Sequence, residues 1–209
     1  GTLTRTGYVF SHWNTDPNNT GTTWYPEDSF LFPEGDTTLF AIWIPGQDYD
    51  VTDPGPSGGF IFYDKGFYRD GWRFMEAASA DLGEYQQWGG YGTSTGALAV
   101  GIGSGPENTD LIVSVLGTGF SYPALDVSTL DLGGYSDWFL PSIDELFAMY
   151  SNLHLNSAGG FLSERYWSST EGSSTFARSY LFSLPTGQGY VLAKNQTASS
   201  IYVRPARRF

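Results

Sequence analysis

Between Gly7 and Trp43, short apolar runs alternate with polar clusters at the spacing of strands and turns. Tyr8-Val9-Phe10, Phe30-Leu31-Phe32 and Leu39-Phe40-Ala41-Ile42-Trp43 predict strands, and Asp16-Pro17-Asn18-Asn19 and Pro33-Glu34-Gly35-Asp36 predict turns. Residues 1–45 therefore read as a small all-β unit, marginal alone at this size, with Trp13, Trp24 and Trp43 as its expected core. The stretch from 44 to 58, IPGQDYDVTDPGPSG, holds three Pro, three Gly and three Asp, and predicts a linker over 46–57.

From Gly58 the pattern changes. Phe60-Ile61-Phe62-Tyr63 and the Gly-bounded run GWRFMEAAS (Gly71 to Ser79) predict a hairpin. Leu111, Ile112, Val115 and Leu116, closed by Gly117, predict a short helix over 109–117. A second helix follows Ser142: Glu145 stands three residues on, as in a capping box, and Ile143, Leu146, Phe147, Tyr150 and Leu153 recur on one face. From Tyr166 onward RYWSS, FARSYLFSL, GYVLA and SIYVRPARRF read as strands between polar turns. The whole predicts an α+β domain over 58–209 whose last strand returns beside its first.

Composition narrows the class. The 209 residues are 40% hydrophobic and 17% aromatic, enough for one good core with something small beside it. A net charge of −12 repels polyanions, so nucleic acid is not an expected partner. No cysteine is present, which removes disulfides, thiol nucleophiles and Cys-ligated metals. No apolar run reaches bilayer-spanning length and no signal-peptide pattern opens the chain. Few charges beside 27 Gly, 14 Tyr and 7 Trp suit a loop-rich, surface-exposed binding protein.

Motifs for catalysis fail their context. Gly92-Thr93-Ser94-Thr95-Gly96 fits G-x-S-x-G, but no core strand precedes it and no long helix follows. His12 and His154 are the two histidines, and His154 at a helix end reads as a dipole partner rather than a base. ALAVGIGSGPENTDLIVSVLG resembles a dinucleotide loop, but Pro106 replaces the third glycine, the predicted helix is short and no further βαβ units follow. Glu76, Asp81, Glu84, Asp126, Asp131, Asp137, Asp144, Glu145, Glu164 and Glu171 are too scattered to nominate a catalytic pair. Calcium stays open, since oxygen ligands are plentiful although no EF-hand spacing occurs. No catalytic residue, metal ligand or cofactor is assigned.

Near the C-terminus, Tyr166, Trp167, Ala177, Phe182, Val203 and Pro205 read as framework. Gly172, Ser173, Ser174, Thr175, Arg178, Tyr180, Ser183, Thr186, Gln188, Tyr190 and Leu192 read as a candidate ligand-binding set, in the Tyr/Ser/Gly vocabulary of adaptable surfaces. Composition alone leaves an ordinary polar strand face equally open.

Two resemblances sharpen this. The order G-Y-x-F-x-x-W-N-T (Gly7 to Thr15), Gly21-Thr22-Thr23 and T-L-F-A-I-W (Thr38 to Trp43) resembles the B-repeat of Listeria internalins and Bacteroides surface proteins, a small β-grasp-like spacer. The family's opening strand would precede Gly1, so a truncated repeat is expected, with any signal peptide or lipid anchor upstream. GGFIFYDKG…GWRFMEAA, the D-W-x-L-P-S-x-x-E-L element (Asp137 to Leu146), Y-W-S-S and V-R-P-x-R together resemble the C-terminal domain of Legionella collagen-like protein, over Gly58 to Phe209. That family is related to the C-type lectin fold and includes proteins that look like variable proteins of diversity-generating retroelements. The resemblance implies a fixed scaffold at Trp167, Ser168, Ser169, Ala177, Phe182, Gly187, Val203, Arg204, Pro205 and Arg207, with diversification on the candidate set. It implies a non-catalytic receptor or adhesin, extracellular or on the cell surface, whose partner is a protein or glycan and whose only membrane link is an anchor outside these residues. The other classes that it leaves are a fixed-specificity lectin-like adhesin, a stalk cap that binds nothing small, and a formylglycine-generating type of enzyme, against which the absence of Cys counts. Heparin-like ligands want clustered cations; Arg204, Arg207 and Arg208 cluster in an expected structural strand, so such ligands are not expected.

Overall fold

The computed structural model describes residues 3–29, 35–183, 185–197 and 201–209. The expected strand Phe30-Leu31-Phe32 and half of the turn after it lie outside these residues, as do Leu184, 198–199 and Ser200 at the edges of the expected C-terminal strands. The chain is α+β and packs as two compact units, residues 1–50 with 64–74 and Phe209, and residues 51–63 with 75–208.

In the first unit β1 (Tyr8–Asn14) lies between β2 (Thr23–Trp24) and β3 (Phe40–Pro45), antiparallel to both. Val9 and Phe10 are buried, while the three tryptophans expected as core are only half-buried. Phe10 meets Trp13 and Trp43 edge-on, with ring centroids 5.4 and 5.7 Å apart. Asn14 explains the W-N-T element. Its side-chain carbonyl accepts from the Asp16 and Gly21 N–H groups, and its amide donates to Asn19, Gly21 and Thr23, which closes the turn. Residues 64–74 and Phe209 complete this unit, with the N–H groups of Arg73 and Phe74 both donating to the Phe209 carbonyl.

The hairpin expected at Gly58 forms as β4 (Phe60–Arg69), which runs well past its apolar run, and β5 (Trp72–Ala77), which lies within its own. Residues 51–57, the second half of the stretch read as a linker, are not a free tether. Thr52 donates to Ile61, Ile61 to Asp53 and Gly55 to Gly59, folding the segment back on β4. In the second unit a five-stranded sheet runs β6 (Gly83–Tyr85), β10 (Ile201–Val203), β7 (Arg165–Glu171), β8 (Phe176–Leu181), β9 (Gln188–Ala193). All its pairs are antiparallel except β10 with β7. The last strand, β11 (Ala206–Arg208), does return to the hairpin, but beside β5 rather than β4.

Three helices pack on these sheets. α1 (Gly105–Leu116) begins four residues before the predicted helix, with Pro106 in its first turn, and α2 (Pro123–Ser128) was not predicted. α3 (Ile143–Asn152) has the expected capping box in full. One correction concerns its stripe: Phe147 is 52% exposed, and Met149 is buried instead. Trp88, Trp138 and Trp167 lie in the main core with Ile112, Tyr122 and Val203. A second, aromatic cluster joins Tyr150, His154, Phe161, Tyr166, Tyr180 and Phe182.

Candidate functional site

The small hydroxyl residues after Trp167 are interior joints. Between Trp167 and Glu171 the register of β7 against β8 shifts, because β7 bends away from its partner. Hydroxyls take over the ladder there. Ser168 Oγ donates to the Arg178 carbonyl at 2.8 Å, and Thr170 Oγ1 donates to Ala99 O at 3.0 Å while accepting from Ile143 N. Trp88 Nε1 donates to Ser168 O at 2.7 Å. Y-W-S-S with Thr170 after it is therefore a buried hub that fixes β7, α3 and the 97–101 loop.

Glu171 ends β7, and Lys194 follows β9. Both are buried, and their ion pair is 2.5 Å long. Lys194 also donates to Thr93 O and lies 4.6 Å from the centre of the Trp88 ring. Glu171 accepts from Ser94 Oγ and from the N–H groups of Thr95 and Gly96. Burial works against ionisation of Glu171, but the ammonium and these donors outweigh it and hold its pKa below the ordinary carboxylate value. The G-x-S-x-G serine thus clamps a structural carboxylate. His154 is no base for it: buried among rings, with its pKa lowered by burial, it is not the charged dipole partner expected either.

The second motif resembling a ligand loop is also filled from within. Glu145, completely buried, accepts from Ser142 N at 2.6 Å and Gly103 N at 2.8 Å, so one carboxylate caps α3 and the start of α1 together. The place where a phosphate would sit at the α1 N-terminus is taken by this side chain. A Cβ at Gly105 would lie 2.4 Å from Glu145 Oε2, so the close approach needs glycine. Burial pushes the Glu145 carboxyl up to about 7 against its donors.

The predicted binding set is divided by the strands. Gly172, Ser173, Ser174 and Thr175 form the turn before β8; Ser183, Thr186 and Gln188 lie at its other end, about 20 Å away at the usual rise per residue. Ser173 Oγ accepts from the N–H groups of Thr175 and Phe176, and Ser183 Oγ donates to Thr186 O, so both hydroxyls serve their own turns. Tyr150 holds the second turn, donating to Ser183 O and accepting from Gly187 N at 2.6 Å. A Cβ on Gly187 would lie 2.6 Å from the Tyr180 ring. Tyr180 departs from the expected exposed contact: it is 9% exposed and packs on Tyr150 and Phe182. Leu192 packs on the main core, and Tyr190 lies under the Arg165 guanidinium at 4.7 Å.

Arg178 is different. It is exposed, with no hydrogen-bond or ion-pair partner for its side chain among the described residues. It lines a shallow cleft of about 160 Å³ with Ile143, Gly189, Tyr190 and Val191. Its cross-strand neighbour Val191 is 58% exposed and Phe176, two residues along the same face, is 45% exposed. Sequence reasoning missed Phe176, Val191 and Phe147 as surface, and Glu171 and Lys194 as the clamp below it. The signal was the alternation in F-A-R-S-Y, where large side chains recur every second residue; Ala177 and Ser179 between them are wholly buried.

Among the described residues, no three His, Asp or Glu side chains are grouped to hold a metal ion, and no helix is long and apolar enough to cross a membrane. No protein-family model matches the chain, and no curated protein matches it.

Proposed function

We propose that residues 58–209 form a non-catalytic, C-type lectin-like ligand-binding domain of a secreted or cell-surface bacterial protein, carried by a B-repeat spacer over 1–45. The observation that carries this reading is the β8–β9 face, where an exposed guanidinium with no partner among the described residues stands beside exposed Phe176 and Val191. Exposed apolar groups around a cation, on strands fixed at both ends, make a surface ready for reversible recognition. The framework supports the reading. The D-W and R-P-x-R elements are bonded to each other, Arg207 Nε donating to Asp137 at 2.8 Å and Nη2 at 3.1 Å. Arg204, buried, donates to Asp81, Ala78 and Gly159 and lies over Phe161.

The surface residues of this framework are the ones free to diversify: Gly172, Ser173, Arg178, Thr186 and Gln188 from the predicted set, with Phe176 and Val191 added. The partner is a protein or glycan on another cell or surface, and no chemical step is involved. Glycan and surface-protein arrays probed with the wild-type chain and with a Phe176→Ser/Arg178→Glu double variant test this. The expected result is selective capture by the wild type that the folded double variant loses; capture unchanged by both substitutions would move the site elsewhere.

A further inference from the structure

β9 is one edge of the five-stranded sheet, and its phase is fixed by the structure. Lys194 N donates to Thr175 O, so in this antiparallel ladder the hydrogen-bonded pairs are Ala177 with Leu192, Ser179 with Tyr190 and Leu181 with Gln188. Gly189 and Val191 therefore turn their N–H and C=O groups outward, away from β8. Sheets guard such edges with short strands, charges or proline. The opposite edge follows that rule, since β6 is three residues long and carries Glu84. β9, QGYVLA, has six residues with neither charge nor proline.

We propose that β9 is a strand-addition site whose occupant is an extended segment of a partner protein alternating apolar and carboxylate side chains. The inference rests on the reading of the Arg178 face as a binding surface, and it names the ligand chemistry for that face. Main-chain groups of the added segment pair with Gly189 and Val191. Its side chains fall alternately on the two faces of the extended sheet. On the Arg178 face an apolar side chain enters the cleft against Ile143 and Val191, and a carboxylate reaches the guanidinium, which has no carboxylate partner among the described residues. The chain's overall charge of −12 opposes an acidic partner only at range, because screening at physiological salt acts over about 8 Å.

Fluorescence anisotropy on the full chain tests this with a labelled alternating valine–glutamate peptide of about eight residues, long enough to span an average strand. Its valine–lysine counterpart and a version N-methylated on alternate amides serve as controls. Val191→Pro removes an outward N–H and no internal bond, so it blocks the edge in a folded protein, as circular dichroism would verify. The expected result is saturable binding of valine–glutamate, at least about tenfold weaker binding of valine–lysine, and loss with the N-methylated peptide or with Val191→Pro. Arg178→Glu should invert the preference for charge. Equal binding of the N-methylated peptide, with Arg178→Glu still abolishing it, would overturn strand addition while leaving the face as a binding site. No peptide binding by a wild type that still captures array ligands would do the same. Self-association of the wild type that Val191→Pro abolishes, without peptide binding, would make a second copy the occupant and overturn the assignment to a partner protein.

Discussion

Lys194 and Glu171 sit in a turn and at a strand end, where charged residues are normally solvated, yet both are buried and bonded to each other. Lys194→Met would leave the carboxylate buried without its cation, at an expected cost of about 3–5 kcal/mol in denaturant unfolding. A double change with Glu171→Leu should recover much of that loss. Glu171 and Glu145 act on pH stability in opposite directions. The folded pKa of Glu171 is depressed, so its contribution is present at neutral pH and is lost as pH falls through that value. For Glu145, raised to about 7, the folded state holds the proton more tightly, so stability is full below the ordinary carboxylate pKa and declines as pH rises toward 7. Glu145→Gln should flatten the decline, and unfolding midpoints measured across this pH window in both proteins check it. The Glu145 cap on α3 was legible as a capping box, but its bond to Gly103 and the whole Glu171 clamp were not. The partners come from segments 23 and 42 residues distant.

α3 was the most legible element, because its cap, its first turn and its stripe lie within one stretch of sequence. α1 was read four residues short since Gly-Ser-Gly-Pro looks like a loop, and its first N–H, that of Gly105, is taken by Glu145 from α3. β8 reads as a strand with Ala177 inside and Arg178 outside, as found, but Tyr180 is buried under α3 and Phe176 is exposed. Trp167 fills the space beneath, so the small Ala177 and Ser179 fit inside while Phe176 and Arg178 face out. The β8–β9 turn rests on glycine: Gly187→Ala would drive a methyl group into Tyr180 and Tyr150, at an expected cost of about 1–3 kcal/mol. Thermal unfolding measures it, and an unchanged midpoint would mean that the turn is looser than the Tyr150 hydrogen bonds imply.

At the scale of the whole molecule, motifs far apart in the chain prove to be halves of single contacts. Asp137 meets Arg207, and Asp81 meets Arg204, so the last residues fasten β11 and β10 to loops laid down much earlier. Arg207→Lys cannot keep the two-pronged bond to Asp137 and should lower stability by about 1–2 kcal/mol in denaturant melts, a loss that Asp137→Asn should match. The α+β class and the run of strands from Tyr166 could be anticipated from period and turn chemistry, but their order in the sheets could not. The division into two units could not, since the hairpin 60–77 reads as one element while its tip and Phe209 pack with the first unit.

The central claim is a fixed framework that presents a changeable binding face. Sequencing the 3′ end of the gene through a clonal population and its relatives tests it most directly. Substitutions should concentrate at Gly172, Ser173, Phe176, Arg178, Thr186, Gln188 and Val191, while Trp167, Glu171, Gly187, Lys194 and Arg204 stay constant. Changes spread evenly over both groups, or absent from the exposed one, would contradict it.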